Sequence, residues 1–180
     1  VGPDGSPRPI DLSGVGVREA AQQAMTSCLE AEFLQMDAER LGFAPDAFDI
    51  VCGSGILHHL DTERSVEEIH RVLRPGGVAV FFEPLGTNPL INAYRRLTPS
   101  MRTPDEHPLV DADFDLMRSR FASVTVEYHN LFSLAGVVAG RVPKVGRSLV
   151  RLLQHLDAMV FSRLPWTRRF AWVAVLTLQP

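Results

Sequence analysis

The apolar positions of this chain change period several times, and the changes mark out its elements. Two short apolar runs, Phe48-Asp49-Ile50-Val51-Cys52 and Val78-Ala79-Val80-Phe81-Phe82, flank a stretch in which Val66, Ile69, Val72 and Leu73 recur at helical spacing. The pattern predicts a strand, a crossover helix from Ser65 to Leu73 and a second strand ending in Glu83-Pro84. Ser65 and Glu68 stand at capping-box spacing. Pro75 cannot continue a helix, and Gly76-Gly77 allow the left-handed turn that closes one. Near-continuous apolar strands point to a parallel sheet covered on both faces. Ligands in such sheets bind beyond the carboxyl ends of the strands, which here carry Gly53 to His59 and Glu83 to Asn88.

Upstream, Ile10-Asp11-Leu12-Ser13 reads as a strand end and a helix start. The helix runs from Val17 to Leu29 and buries Ala20, Ala21, Ala24 and Met25. Phe33 to Met36 is the next strand, and Asp37-Ala38-Glu39 leaves it. The loop from Asp37 to Asp46 is too short for a crossover helix, so the order is β, α, β, β, α, β. Pro84 to Pro108 is rich in proline and polar residues, with a short helix from Pro89 to Leu97. Together with a helix from Phe114 to Phe121 it forms residues 84–122, placed where an active-site cover belongs. Strands at Val124 to Tyr128 and Phe170 to Leu176 then close the sheet by a hairpin-like return around an insertion, residues 131–169. Leu149, Leu152, Leu153, Leu156 and Val160 give that insertion an apolar helical face, and Arg141, Lys144, Arg147, Arg151, Arg163, Arg168 and Arg169 oppose Asp157 alone. A basic amphipathic helix of this kind can lie on an anionic membrane surface. It reads also, and more readily, as a lid or dimer helix with a solvated basic face.

Composition narrows the class. The 180 residues suffice for one domain, and a net charge of −3 gives no general reason to expect nucleic-acid binding. Cys28 and Cys52 read as reduced core thiols of a cytoplasmic protein. Neither a secretory signal nor a run long enough to span a bilayer is visible, so a soluble protein, at most peripheral to a membrane, is expected. Asp105, Glu106 and His107 are consecutive and point different ways, so no metal site is expected from them.

Ile10-Asp11-Leu12-Ser13, Met36-Asp37-Ala38-Glu39, Phe48-Asp49-Ile50-Val51, Leu57-His58-His59-Leu60 and Leu73-Arg74-Pro75-Gly76-Gly77, in this order and at this spacing, resemble the class I S-adenosylmethionine-dependent methyltransferases. The resemblance is to the bacterial small-molecule group that includes the ubiquinone and menaquinone enzymes. It implies an α/β, Rossmann-like sheet with flanking helices and S-adenosyl-L-methionine as cofactor. By that resemblance Asp11, with Leu12 beside it, takes the ribose hydroxyls, Asp37 the adenine amino group and the amide of Ala38 a ring nitrogen. Gly53 and His58 lie by the methionine portion. The competing roles are a helix cap for Asp11, although Ser13 is better placed to cap, and a simple turn for Asp37. Glu83, His107 and His59 are the candidates for a proton acceptor, needed where the methyl acceptor must lose a proton. Tyr94-Arg95-Arg96 and Thr103 to Pro108 resemble the family's variable cover, or form a surface ion-pair cluster of Arg95, Arg96, Asp105 and Glu106.

One departure matters. In the family a first strand and a Gly-x-Gly-x-Gly loop precede the ribose-binding acid by about twenty residues, and ten residues precede Asp11 here without such a loop. The sheet is therefore expected to be incomplete between the Asp11 strand and the Phe48 strand. Two explanations follow, an amino-terminal truncation of an active enzyme or a non-catalytic partner or remnant that no longer binds the cofactor. The acceptor expected of an active enzyme is a small apolar molecule such as a quinone, a lipid or a secondary metabolite. A dinucleotide oxidoreductase would need a Gly-x-Gly-x-x-Gly turn, which is absent.

Overall fold

The computed structural model describes residues 1–101, 103, 106–133 and 143–180, with residues 101 and 143–148 described as backbone alone. The amino-terminal part holds β1 (Ile10–Asp11), α1 (Gly14–Thr26) and β2 (Leu34–Gln35). The central unit is β3 (Phe48–Ser54), a 3₁₀ turn (Leu57–His59), α2 (Thr62–Val72) and β4 (Leu73–Pro84). After it come α3 (Pro89–Leu97), α4 (Asp111–Arg120), β5 (Ser123–His129), α5 (Pro143–Arg163) and β6 (Val173–Gln179).

The strands form two sheets. β1 and β2 pair in parallel by themselves, and the larger sheet has the order β3-β4-β6-β5. β3 and β4 are parallel, while β6 runs antiparallel to both β4 and β5. The hairpin-like return is thus present, with β6 inserted between β4 and β5. Among the described residues no strand joins β1 to β3, and the break falls where the sequence departs from the family it resembles. Val1 touches the free edge of β3 there, its carbonyl accepting from the amides of Asp49 and Ile50 at 3.0 and 3.3 Å.

The strand registers separate two faces, and only one is covered. On the covered face Val51 and Gly53 pair with Ala79 and Phe81, which pair with Leu178 and Leu176. This face packs on Val66, Ile69, Phe114 and Met117 to form the core. The opposite face carries Ile50 and Phe82, 42% and 43% exposed. The expectation of burial on both faces is therefore corrected. β3 and β4 alternate like half-covered strands because α2 and α4 lie on one side, while the other side opens toward the break. Cys52 lies on the open side, and both cysteines are free and exposed rather than in the core. The predicted stripe of α1 fails for the same reason. Ala24 is buried, but Ala20 is exposed and Met25 is 79% exposed.

Several boundaries also move. α2 starts three residues before Ser65, capped by Asp61, whose carboxylate accepts from the Arg64 amide at 3.0 Å. Ser65 is buried inside the helix. Glu68, freed from any capping box, accepts from Arg71 Nε and from the Leu41 amide, both at 2.7 Å. Arg71 in turn donates to the carbonyls of Phe43 and Leu41. This cluster ties the loop after β2 to α2. The Arg71 guanidinium holds the Glu68 carboxyl below its ordinary value against the opposing effect of burial. A depressed acid contributes stability that is present above its unfolded-state value and lost as pH falls through the folded-state one. Glu68→Gln is therefore expected to flatten the fall in urea midpoint below about pH 4.5. Equal slopes for both proteins in that range would contradict the assignment.

The last strand begins at Val173 rather than Phe170, since Pro165–Phe170 turn as a 3₁₀ segment with proline at its start. In α5, Leu153, Leu156 and Val160 are half-buried, but Leu149 and Leu152 are exposed. Asp157 does not face the basic residues. It is buried and accepts from the amides of Leu131, Phe132 and Ser133 and from the Ser133 hydroxyl. Arg168 sits over the Tyr128 ring and Arg169 over Phe170, so these two cations are held by aromatic faces. Arg141 and the side chains of Lys144 and Arg147 lie outside the described residues.

Candidate functional site

A cavity of about 440 Å³ lies along the break between the sheets, lined on one side by Ile10 and Ala38 and on the other by Gly53, Ser54 and Ile56. Strand β1, the loop leaving β2 and the end of β3 thus border one space, at the side of the sheet where a ligand belongs.

On the β1 side, Asp11 is exposed and its Oδ1 accepts from the Ser13 amide at 2.6 Å. Ser13 caps α1 through the amides of Val15 and Gly16 at 3.2 and 3.3 Å. The carboxylate of Asp11 lies so close over Gly16 that a Cβ there would stand 2.8 Å from Oδ2. Capping thus falls to Ser13, and Asp11 braces the turn. Leu12 is 72% exposed. Asp37 is exposed and its Oδ1 accepts from the Glu39 amide at 2.9 Å, an Asx turn that leaves Ala38 on the cavity wall. Asp11 and Asp37 are brought together by the β1–β2 pairing, in which the Met36 amide donates to the Asp11 carbonyl at 3.0 Å.

Across the cavity, Gly53 is packed so tightly that a Cβ would lie 2.8 Å from both Ile56 Cγ2 and Phe81 Cε1. Behind it a second group forms. Glu83 is wholly buried, and its Oε1 accepts from the amides of Ile56 and Leu57 at 2.9 and 3.0 Å. Its Oε2 lies 2.8 Å from His58 Nδ1. The rings of His58 and His59 stack at 4.1 Å, and Thr103 Oγ1 is 3.4 Å from His59 Nδ1. His107 reaches this group through its backbone, its amide donating to the His58 carbonyl at 2.7 Å. The structure therefore joins Glu83, His58, His59 and the His107 backbone, and leaves Asp11, at the end of β1, and Asp37, just beyond β2, next in sequence to the cavity-lining Ile10 and Ala38.

The segment over this group is a closed loop. Leu85 and Leu109 form a parallel bridge, Gly86 donates to the Leu109 carbonyl at 2.8 Å, and Leu109 donates to the Pro84 carbonyl at 3.1 Å. The following helix, α4, does not belong to the loop. Phe114 and Met117 enter the core, and Arg120 pairs with Glu67 of α2. One residue of the loop, Asn88, was given no role by the sequence. Asn88 caps α3 and its amide nitrogen donates to the Phe170 carbonyl, tying the cover to the segment before β6. The Asn88-Pro89 pair was a readable helix start. Arg95 donates to the Leu85 carbonyl at 2.9 Å and to Asn92 at 3.1 Å, within the loop's own base. Asp105 lies outside the described residues. Among those described, no cluster of three His, Cys, Asp or Glu is placed to hold a metal ion. No described helix is long and apolar enough to cross a membrane.

Comparison with known proteins finds methyltransferases. A family model described as a methyltransferase domain matches residues 7–81. The ubiquinone/menaquinone biosynthesis C-methyltransferase UbiE of Klebsiella pneumoniae is 32% identical over 139 residues, covering 60% of this chain and 51% of that protein. The demethylmenaquinone methyltransferase of Chlorobaculum parvum is 40% identical over 55 residues, 30% of this chain and 23% of that protein. The chain thus spans about half or less of these relatives. Among solved structures, phosphoethanolamine N-methyltransferase 2 of Haemonchus contortus in complex with S-adenosyl-L-methionine superposes with a TM-score of 0.66 at 16% identity, over 96% of this chain and 42% of that one. The YcgJ protein of Bacillus subtilis gives 0.62 at 16% identity, over 97% and 82%. At these identities the superpositions speak to the fold, a Rossmann-like α/β sheet with flanking helices.

Proposed function

We propose that the protein, whose residues 7–81 match a methyltransferase domain, is a class I S-adenosylmethionine-dependent methyltransferase that transfers a methyl group from that cofactor to a small apolar acceptor such as a quinone, a lipid or a secondary metabolite. The observation that carries the reading is the cavity between the two sheets, bordered by Ile10 next to Asp11, by Ala38 and by Gly53. The fit is chemical as well as positional. Exposed carboxylates at Asp11 and Asp37 suit the hydroxyls and amino group of an adenosine, and the apolar walls suit its ring and chain. When bound, the cofactor supplies a methyl group already activated on a sulfonium. The chain's own task is then to align the acceptor, exclude water and receive any proton the acceptor must lose, and alignment alone can supply about 7 to 11 kcal/mol. The closed loop from Leu85 to Leu109 is the element that would do the excluding. A quinone-type acceptor is supported by the relatives' names.

A second reading, a non-catalytic partner of the same fold, is favoured by the break itself. Among the described residues no glycine-rich loop stands on the free edge of β3, where amides would meet an anionic ligand. Isothermal titration with S-adenosylmethionine and S-adenosylhomocysteine separates the two. The methyl-transfer reading expects heat with both, weakened about ten- to hundredfold by Asp11→Ala, since each charge-assisted bond contributes about 1.5 to 3 kcal/mol. Absence of heat with either ligand would sink it for these residues.

A further inference from the structure

Glu83 cannot itself meet an acceptor, because it is 0% exposed and both its oxygens are engaged. Its position nonetheless dictates the state of the ring beside it. An ionised carboxylate only accepts hydrogen bonds. Opposite an ionised Glu83, the nitrogen facing it at 2.8 Å, Nδ1 of His58, is the one that would carry the proton. In the neutral ring this leaves Nε2 with its lone pair. Cε1, the carbon between the two nitrogens, lies 3.7 Å from the position a Cβ would take on Gly55, so this edge of the ring faces a glycine at the mouth of the β3 loop. Gly55 has φ +63°, the left-handed conformation that keeps a side chain out of that spot. The cover closes over the same residue through the bond from the His107 amide to the His58 carbonyl.

We propose that Glu83 is a positioning residue that locks His58 as the Nδ1–H tautomer, and that Nε2 of His58 is the group that takes the proton from the methyl acceptor. The role in transfer rests on the methyl-transfer reading. In the step, the acceptor's O–H or acidic C–H proton passes to Nε2. The electron pair left behind forms the new bond to the methyl carbon, the carbon–sulfur pair stays on sulfur, and the imidazolium returns its proton to water. Two roles assigned above to separate residues thus become one coupled pair. His58 changes from a neighbour of the cofactor to the base, and Glu83 from a base to the group that orients it.

The arrangement has a signature independent of cofactor. Long-range proton–nitrogen NMR on histidine-labelled protein should show His58 with a protonated, pyrrole-type Nδ1 and a pyridine-type Nε2. In Glu83→Gln the side-chain oxygen keeps the Ile56 and Leu57 amides, which turns the NH₂ group toward Nδ1. Nδ1 then becomes the acceptor and the tautomer reverses, the fault expected when an acceptor-only partner is replaced by an amide. Glu83→Asp, again a carboxylate, keeps the wild-type pattern. An Nε2–H form in the unaltered protein, or an unchanged pattern in folded Glu83→Gln, would overturn the proposal. Should the variants fail to fold by circular dichroism, the spectrum of the unaltered protein decides alone. A negative calorimetric result would remove the methyl-transfer reading while leaving the tautomer to be read directly.

Discussion

Asp157→Ala is expected to lower the unfolding free energy by about 2 to 4 kcal/mol, read as a fall in the urea midpoint with little change in slope. The carboxylate accepts from the amides of Leu131, Phe132 and Ser133 at 3.1, 2.7 and 3.2 Å and from the Ser133 hydroxyl at 2.6 Å. Asp157 and Ser133 are both buried, so alanine leaves the Ser133 amide without a partner that water can easily replace, while the Ser133 hydroxyl keeps only Asn130 Oδ1 at 3.1 Å. The upper end of the range assumes that Leu131 and Phe132, which are only partly covered, also lose their bonds without full compensation. The effect should spread, because this one side chain joins α5 to the segment leaving β5. Asp157→Asn keeps one acceptor oxygen and should lose roughly half as much. Equal midpoints for Asp157→Ala and the unaltered protein would show that the segment holds to α5 by its apolar contacts alone.

The same residue shows where the sequence was legible and where it was not. Local signals were read well. The helical face of Val66, Ile69 and Val72 is the face that packs, Ser13 caps α1, and the late strands return antiparallel. What failed was long-range. Asp157 looked like a lone acid among basic residues, since nothing local says that its partners lie some twenty-five positions upstream. Glu68 had capping-box spacing from Ser65, but Asp61 offered an earlier cap and Arg71 a stronger partner. Hydrophobicity also misled at β3 and β4. Continuous apolar runs mean burial on both faces only if elements exist on both sides, and here one face opens toward the break between the sheets. In the site, the motif positions Ala38 and Gly53 border one cavity, with Asp11 and Asp37 next in sequence to its lining residues Ile10 and Ala38. The His58–Glu83 contact links residues 25 apart through parallel strands, and only the β3–β4 register reveals it.

That register makes Gly53 the second position of large effect. Gly53 pairs with Phe81 across β3 and β4, and a Cβ at Gly53 would stand 2.8 and 2.9 Å from Cε1 and Cδ1 of that ring and 2.8 Å from Ile56 Cγ2. Phe81 is 3% exposed and belongs to the core, so its ring has nowhere to go. Ile56 is freer, but its amide is held by Glu83. Gly53→Ala is therefore expected to cost about 1 to 3 kcal/mol by overpacking, and Gly53→Val more. The strain has a direction. Relief through Ile56 pulls the β3 loop from Glu83 and disturbs the placement of His58, so cofactor affinity should fall along with stability. Phe81→Leu opens space beside Gly53 at a cost of its own, and the double variant should recover part of the Gly53→Ala loss, giving a coupling energy of at least about 0.5 kcal/mol in a double-mutant cycle. Strict additivity would mean that Ile56 yields instead of Phe81, and a Gly53→Ala protein as stable as the original would mean that the glycine is not required by packing at all.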